Sequence, residues 1–107
     1  GVVQGAGPAL GEGVVYDQSS GQVLTGSFMD YAMPRAAQFP NFKVDIAEDS
    51  TRGNPLRIKG GGEGGTTPAS AVVMSQVLNA LAPVGVRHLD MPASPERVWA
   101  AIQNHRA

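Results

Sequence analysis

The chain has 107 residues, 42% of them hydrophobic, and a formal net charge of -1 with Lys and Arg scattered along it. That balance excludes the clustered basic footprint of a nucleic-acid binder. The absence of cysteine excludes disulfides, Cys-ligated zinc and iron–sulfur clusters within the chain. No apolar run has the length of a membrane span, and residues 1–15 lack the basic start of a signal peptide, so a reducing, cytoplasmic setting is expected.

The length predicts one small domain, residues 1–107, hiding roughly 65% of its unfolded surface. Fourteen glycines and eight prolines punctuate apolar segments, which reads as ordered loops and close backbone contacts rather than disorder. The opening "GVVQGAGPALGEGVVYD" sets Val3, Ala6 and Leu10 at helical spacing, and Val14 extends the series. It predicts a short helix whose glycines admit a neighbour, with Pro8 near a first turn or at a kink. A first turn already under way at Gly1 suggests a chain cut from something longer.

"VVYDQSSGQVLTGSF" predicts a hairpin that turns at Asp17–Gly21. "MDYAMPRAAQFPN" is an irregular connection carrying Pro34 and Pro40. "FKVDIAED" alternates, with Phe42, Val44 and Ile46 on one side and Lys43 and Asp45 on the other, which predicts a half-buried strand. Leu56–Lys59 is expected to be a second short strand leading into a glycine run. From Pro68 to Leu81 apolar residues lie on most faces, which predicts a buried helix stopped by "APVG". "VRHLDMP" is strand-like. "SPERVWAAIQNH" predicts a last helix with Ser94 as N-cap, Pro95 at its first position, Glu96 at the favourable end of the dipole and Trp99 as a packing anchor. Together these predict an α+β fold: a small mixed sheet with a hairpin, plus about three helices.

The chemistry concentrates in "RIKGGGEGGTT" (Arg57 to Thr67), where glycines surround one carboxylate, Glu63. The spacing leaves three readings open. Gly60, Gly62 and Gly65 satisfy G-x-G-x-x-G between a strand and a helix, the outline of a nucleotide-binding βαβ module. Against it, Glu63 inside the loop would repel pyrophosphate, and Asp90 lies further on than the usual ~20 residues. In the second reading the flanking glycines let a bulky cofactor or substrate reach Glu63, which acts as a general base. In the third, Glu63 is a solvated loop residue and the glycines only make turns. Elsewhere His88 and Asp90 alternate on one strand face without a third metal ligand, so no metal site is expected there. Met29, Met33, Met74 and Met91 read as core filling rather than a cofactor box.

Three motifs in order, "GSFMDYAMPRA", "NPLRIKGGGEGGTTPA" and "LAPVGVRHLDMPASPERVWAAI", resemble the C-terminal end of the molybdopterin-binding large subunit in the xanthine dehydrogenase, aldehyde oxidase and carbon monoxide dehydrogenase family. The resemblance covers essentially the whole chain and implies that it is part of a molybdopterin-binding domain. In that family the glutamate of "GEGG" is the catalytic base, a position Glu63 fills by motif match, so the resemblance implies that Glu63 deprotonates a hydroxyl carried by molybdenum. It also implies that Gly62 and Gly64 line the loop where the cofactor approaches. Tyr31 and Arg35 of "MDYAMPRA" are expected to dock against the catalytic domain rather than to do chemistry, and no pterin contact is assigned to Gln4 of "VVQG". The expected cofactor is molybdenum–molybdopterin in the complete enzyme, with none bound to this chain alone. The expected partners are the remainder of the large subunit and the iron–sulfur and flavin subunits. Isolated, the chain is expected to form a homo-oligomer and to show no turnover. A stand-alone structural or interaction domain derived from such a subunit is the non-enzyme alternative.

Overall fold

In the computed structural model, which describes residues 1–106, small residues decide how the helices meet. Helix α1 spans Val2–Leu10, α2 spans Thr66–Leu81 and α3 spans Pro95–Arg106; short 3₁₀ turns occupy Ala36–Gln38 and Ala82–Val84. Helices α1 and α2 run side by side in the same direction. Gly1 lies against Gly65 and Thr66, and Gly5 lies against Thr66 and Ala69. A Cβ built on Gly5 would sit 2.5 Å from the Thr66 carbonyl oxygen and 2.6 Å from the Ala69 Cβ. Only a residue without a side chain permits that approach. Ser70 Oγ donates to the Gly5 carbonyl at 2.6 Å and closes the same seam.

Helix α2 carries Pro68 in its first turn, where a missing N–H costs no intrahelical bond. It ends through the 3₁₀ turn at Gly85, whose φ of 92° lies in the left-handed region and whose N–H donates to the Ala82 carbonyl at 3.0 Å. Helix α3 starts as the sequence indicates, with the Ser94 hydroxyl accepting from the Arg97 N–H at 3.4 Å. The core is correspondingly slight: Ala6, Ala9, Ala69, Leu81, Val86 and Ala93. The Ala93 N–H donates to the Ala9 carbonyl at 2.6 Å and pins the approach to α3 against α1.

The expected α+β architecture with a small mixed sheet is not what forms. Among the described residues there are three α-helices and no strand, only an isolated antiparallel bridge between Tyr16 and Val23. The physical reasons differ by segment. The hairpin turn does form, but its ladder stops after Leu24 N–H reaches the Val15 carbonyl at 2.8 Å. Residues 42–49 keep their alternation without a partner, leaving Val44 and Ile46 81% and 79% exposed. Leu56–Lys59 is irregular, leaving a turn at Pro55 and Leu56: Arg57 sits at φ 57°, and the Asn54 side chain donates to the Ile58 carbonyl at 2.8 Å and accepts the Ile58 N–H at 3.3 Å. Helix α1 stops at Leu10, so Val14 lies outside it and is exposed. Trp99, Met29, Met33 and Met91 are exposed rather than anchoring or filling a core.

The hairpin turn is held by one carboxylate. Asp17 Oδ1 accepts from Ser19 Oγ at 2.6 Å, Ser20 Oγ at 2.7 Å, Ser20 N–H at 2.7 Å and Ser19 N–H at 3.1 Å. The Ser19 hydroxyl first, then the Ser20 hydroxyl and N–H, hold this carboxyl well below its ordinary value. A depressed folded-state pKa contributes stability above the unfolded value of ~3.9. That contribution disappears as pH falls through the lower folded value. The Ser20 amide resonance is therefore expected to titrate with a midpoint clearly under ~3.9; a midpoint at the ordinary value would show that the hydroxyls do not hold the turn.

The shape follows from the slight core. The radius of gyration is 18.0 Å, against about 13 Å for a compact domain of this length. The accessible surface is 8591 Å², where a compact monomer of this mass exposes roughly 5,700 Å². The long face of α2, read as buried, buries only Ala69 and Leu81; Val72 is exposed. A stable two-fold dimer needs about 1,600 Å² of buried surface, less than the surplus. Isolated, the chain is expected to associate: light scattering at micromolar concentration gives a mass above 11.1 kDa. A monomer that binds no hydrophobic dye is the opposite outcome.

Candidate active site

Glu63 lies in the turn that enters α2. Its carbonyl accepts the N–H groups of Thr66 at 3.1 Å and Thr67 at 3.0 Å, so the backbone of Glu63 anchors the first turn. The Gly64 N–H reaches back to the Gly61 carbonyl at 3.2 Å. These bonds leave the Glu63 side chain exposed at the positive end of the α2 dipole.

The glycines around it divide into two kinds. Gly65 is packed: a Cβ there would lie 3.1 Å from the Val2 N. A Cβ on Gly60, Gly61 or Gly62 would meet nothing within 4 Å, and none of the three has a positive φ. Neither packing inside the chain nor backbone conformation requires glycine at 60–62. What they provide is an open face beside Glu63. Gly62 and Gly64, expected to line a cofactor approach, stand on either side of the carboxylate-bearing residue and are exposed.

The sequence does not reveal that the "VVQG" stretch meets this loop. Thr66 Oγ1 donates to the Gly1 carbonyl at 3.2 Å and lies 3.4 Å from Gln4 Oε1. The chain's two ends of interest, 62 residues apart in sequence, therefore share one seam. The nucleotide-binding outline through Gly60, Gly62 and Gly65 loses its premise, because neither the segment before the loop nor residues 86–92 form a strand. His88 Nε2 and Asp90 Oδ1 lie 3.1 Å apart and serve each other at the surface.

Beyond the end of α1 away from Glu63, Glu12 makes a contact that sequence reasoning missed. Tyr31 Oη donates to Glu12 Oε2 at 2.7 Å. This bond, then burial and the carboxylate charge, raise the Tyr31 phenol above its ordinary value. It ties "MDYAMPRA" to the segment just after α1, a contact within the chain that no motif spacing marks in advance. An apolar cavity of about 630 Å³ between Leu10, Phe39, Val77, Leu81 and Val98 lies at the opposite end of the α1–α2 pair from Glu63. It is a product of the missing core rather than part of this site.

A family model described as the molybdopterin cofactor-binding domain matches residues 1–40. The 6-hydroxypseudooxynicotine dehydrogenase complex subunit gamma of Paenarthrobacter nicotinovorans is 39% identical over 102 residues, covering 94% of this chain and 13% of that protein. The carbon monoxide dehydrogenase large chain of Hydrogenophaga pseudoflava is 31% identical over 105 residues, covering 98% of this chain and 13% of its own length. The structure of reconstituted CO dehydrogenase from Oligotropha carboxidovorans superimposes with a TM-score of 0.90 at 27% identity, over 99% of this chain and 13% of that one. The chain thus spans about an eighth of the length of the relatives it matches.

Proposed function

Since the chain belongs to the xanthine dehydrogenase family of molybdopterin-binding large subunits, we propose that it is the segment of such a subunit that brings a general base, Glu63, to the oxidative hydroxylation of a small substrate. One observation carries the reading: an exposed carboxylate on a turn anchored through its own backbone, beside three glycines whose absent side chains leave open space. The arrangement fits a bulky group approaching from outside the chain, with Gly62 and Gly64 as the backbone positions nearest to it. When bound, the molybdenum cofactor supplies the redox chemistry that takes electrons from the substrate.

The chain's own contribution is proton handling. Glu63 accepts, on a carboxylate oxygen, the proton shed by the oxygen that hydroxylates the substrate. A general base works when it is held within hydrogen-bond reach of the proton it takes and shielded from bulk water. Glu63 is exposed here, so the remainder of the subunit must cover it before it is an effective base, and the chain alone is inactive. By the family resemblance, electrons leave through iron–sulfur and flavin subunits; this chain has no cysteine to hold a cluster. The substrate class is an aldehyde, a heterocycle or a similar small molecule. Turnover of Glu63→Gln in the complete enzyme is the test, with wild-type turnover as the outcome that removes the assignment.

A further inference from the structure

Resting on the reading of Glu63 as the base, we propose that Thr66 is a positioning residue that fixes the Glu63 loop against the N-terminus of α1. Upstream, Gly60, Gly61 and Gly62 meet nothing through a Cβ position, and the bonds there stay local: the Gly61 carbonyl accepts from Gly64, and Lys59 pairs with Asp49. The bonds that anchor Glu63 to the helices lie on its downstream side. Thr66 is that anchor from both ends: its N–H donates to the Glu63 carbonyl at 3.1 Å, and its hydroxyl donates to the Gly1 carbonyl at 3.2 Å with Gln4 Oε1 at 3.4 Å.

The hydroxyl has one proton, so Gly1 is its main acceptor, and the Gly1 carbonyl also accepts the Gly5 N–H at 3.0 Å through its other lone pair. One turn further along α2, the bond from Ser70 Oγ to the Gly5 carbonyl at 2.6 Å sets the same register. Gly1, Gly5 and Gly65 let the backbones come close enough for these bonds. Thr66 is β-branched, so its side chain holds a narrow set of rotamers and transmits position rather than absorbing it. In a catalytic carboxylate, a shift of about 1 Å costs on the order of 10²-fold in rate.

Thr66→Val keeps the shape and removes the hydroxyl; Thr66→Ser keeps the hydroxyl. Hydrogen-exchange mass spectrometry on this chain, and on a large subunit carrying it, reads the peptides covering residues 1–6 and 58–66. Thr66→Val is expected to speed exchange in both peptides together, by about fivefold, the size of one net hydrogen bond, while Thr66→Ser restores the wild-type pattern. Unchanged exchange in Thr66→Val, change in only one of the two peptides, or a Thr66→Ser pattern that matches Thr66→Val would overturn the proposal. In the complete enzyme, Thr66→Val lowers kcat while molybdenum content and KM stay put, and it adds nothing to Glu63→Gln. The exchange readout is independent of what Glu63 does. If Glu63→Gln keeps full turnover but the coupled exchange is seen, the seam stands and only the base assignment falls; if Glu63→Gln is inactive and exchange is uncoupled, only Thr66 is misassigned.

Discussion

Glu63→Gln in the complete molybdenum enzyme is expected to retain its cofactor and lose about 10²–10⁴-fold in turnover, the range that general base catalysis contributes. The amide has nearly the carboxylate's size and cannot take up a proton at neutral pH. The structural work of residue 63 is done by its carbonyl, which accepts from Thr66 and Thr67. Gln provides the same carbonyl, so the first turn of α2 survives and the loss is chemical. Molybdenum content, measured on the same preparation, separates a missing base from a missing cofactor.

Gly5→Ala is expected to be the most damaging small substitution for the fold. The added Cβ would meet the Thr66 carbonyl and the Ala69 Cβ at 2.5 and 2.6 Å, and neither is the yielding end of a flexible side chain. Overpacking of this kind costs about 1–3 kcal/mol. Alanine recovers about 1 kcal/mol of helix propensity over glycine, which offsets part of the cost. The net expectation is a destabilised seam, with the Ser70–Gly5 bond lost. Gly60→Ala is the control, because its Cβ meets open space. Denaturant titration of a large subunit carrying each variant should show a lower midpoint for Gly5→Ala and none for Gly60→Ala. Equal midpoints would show that the helices part without penalty.

The helices were legible because their signals are local. Ser94-Pro95-Glu96 writes the start of α3, and Gly85 writes the stop after α2. The Glu63 loop was legible as a motif, and its place at the entrance to α2 follows from the glycine-to-apolar transition. The strands were not legible, because alternation reports which faces want cover and not whether a partner exists. Phe42, Val44 and Ile46 carry that pattern and face water. Leu56–Lys59 fails for a local reason instead: Asn54 closes a turn around it. The meeting of Gln4 with Thr66, and of Glu12 with Tyr31, joins residues 62 and 19 positions apart, and no periodicity encodes such a pairing.

The alanine-built core also has a calorimetric consequence. The heat-capacity increment of unfolding scales with the apolar surface newly wetted, about 1.2–1.5 kcal/mol/K for a compact 100-residue domain. A chain of this mass that leaves 8591 Å² in water hides roughly 70% of what a compact one would. Its melting increment shrinks in proportion, and with it the curvature of stability against temperature. Held inside a larger subunit, the same residues unfold as part of a far bigger cooperative unit. The sharpness of the thermal transition therefore belongs to the assembly, while this segment contributes shape to it.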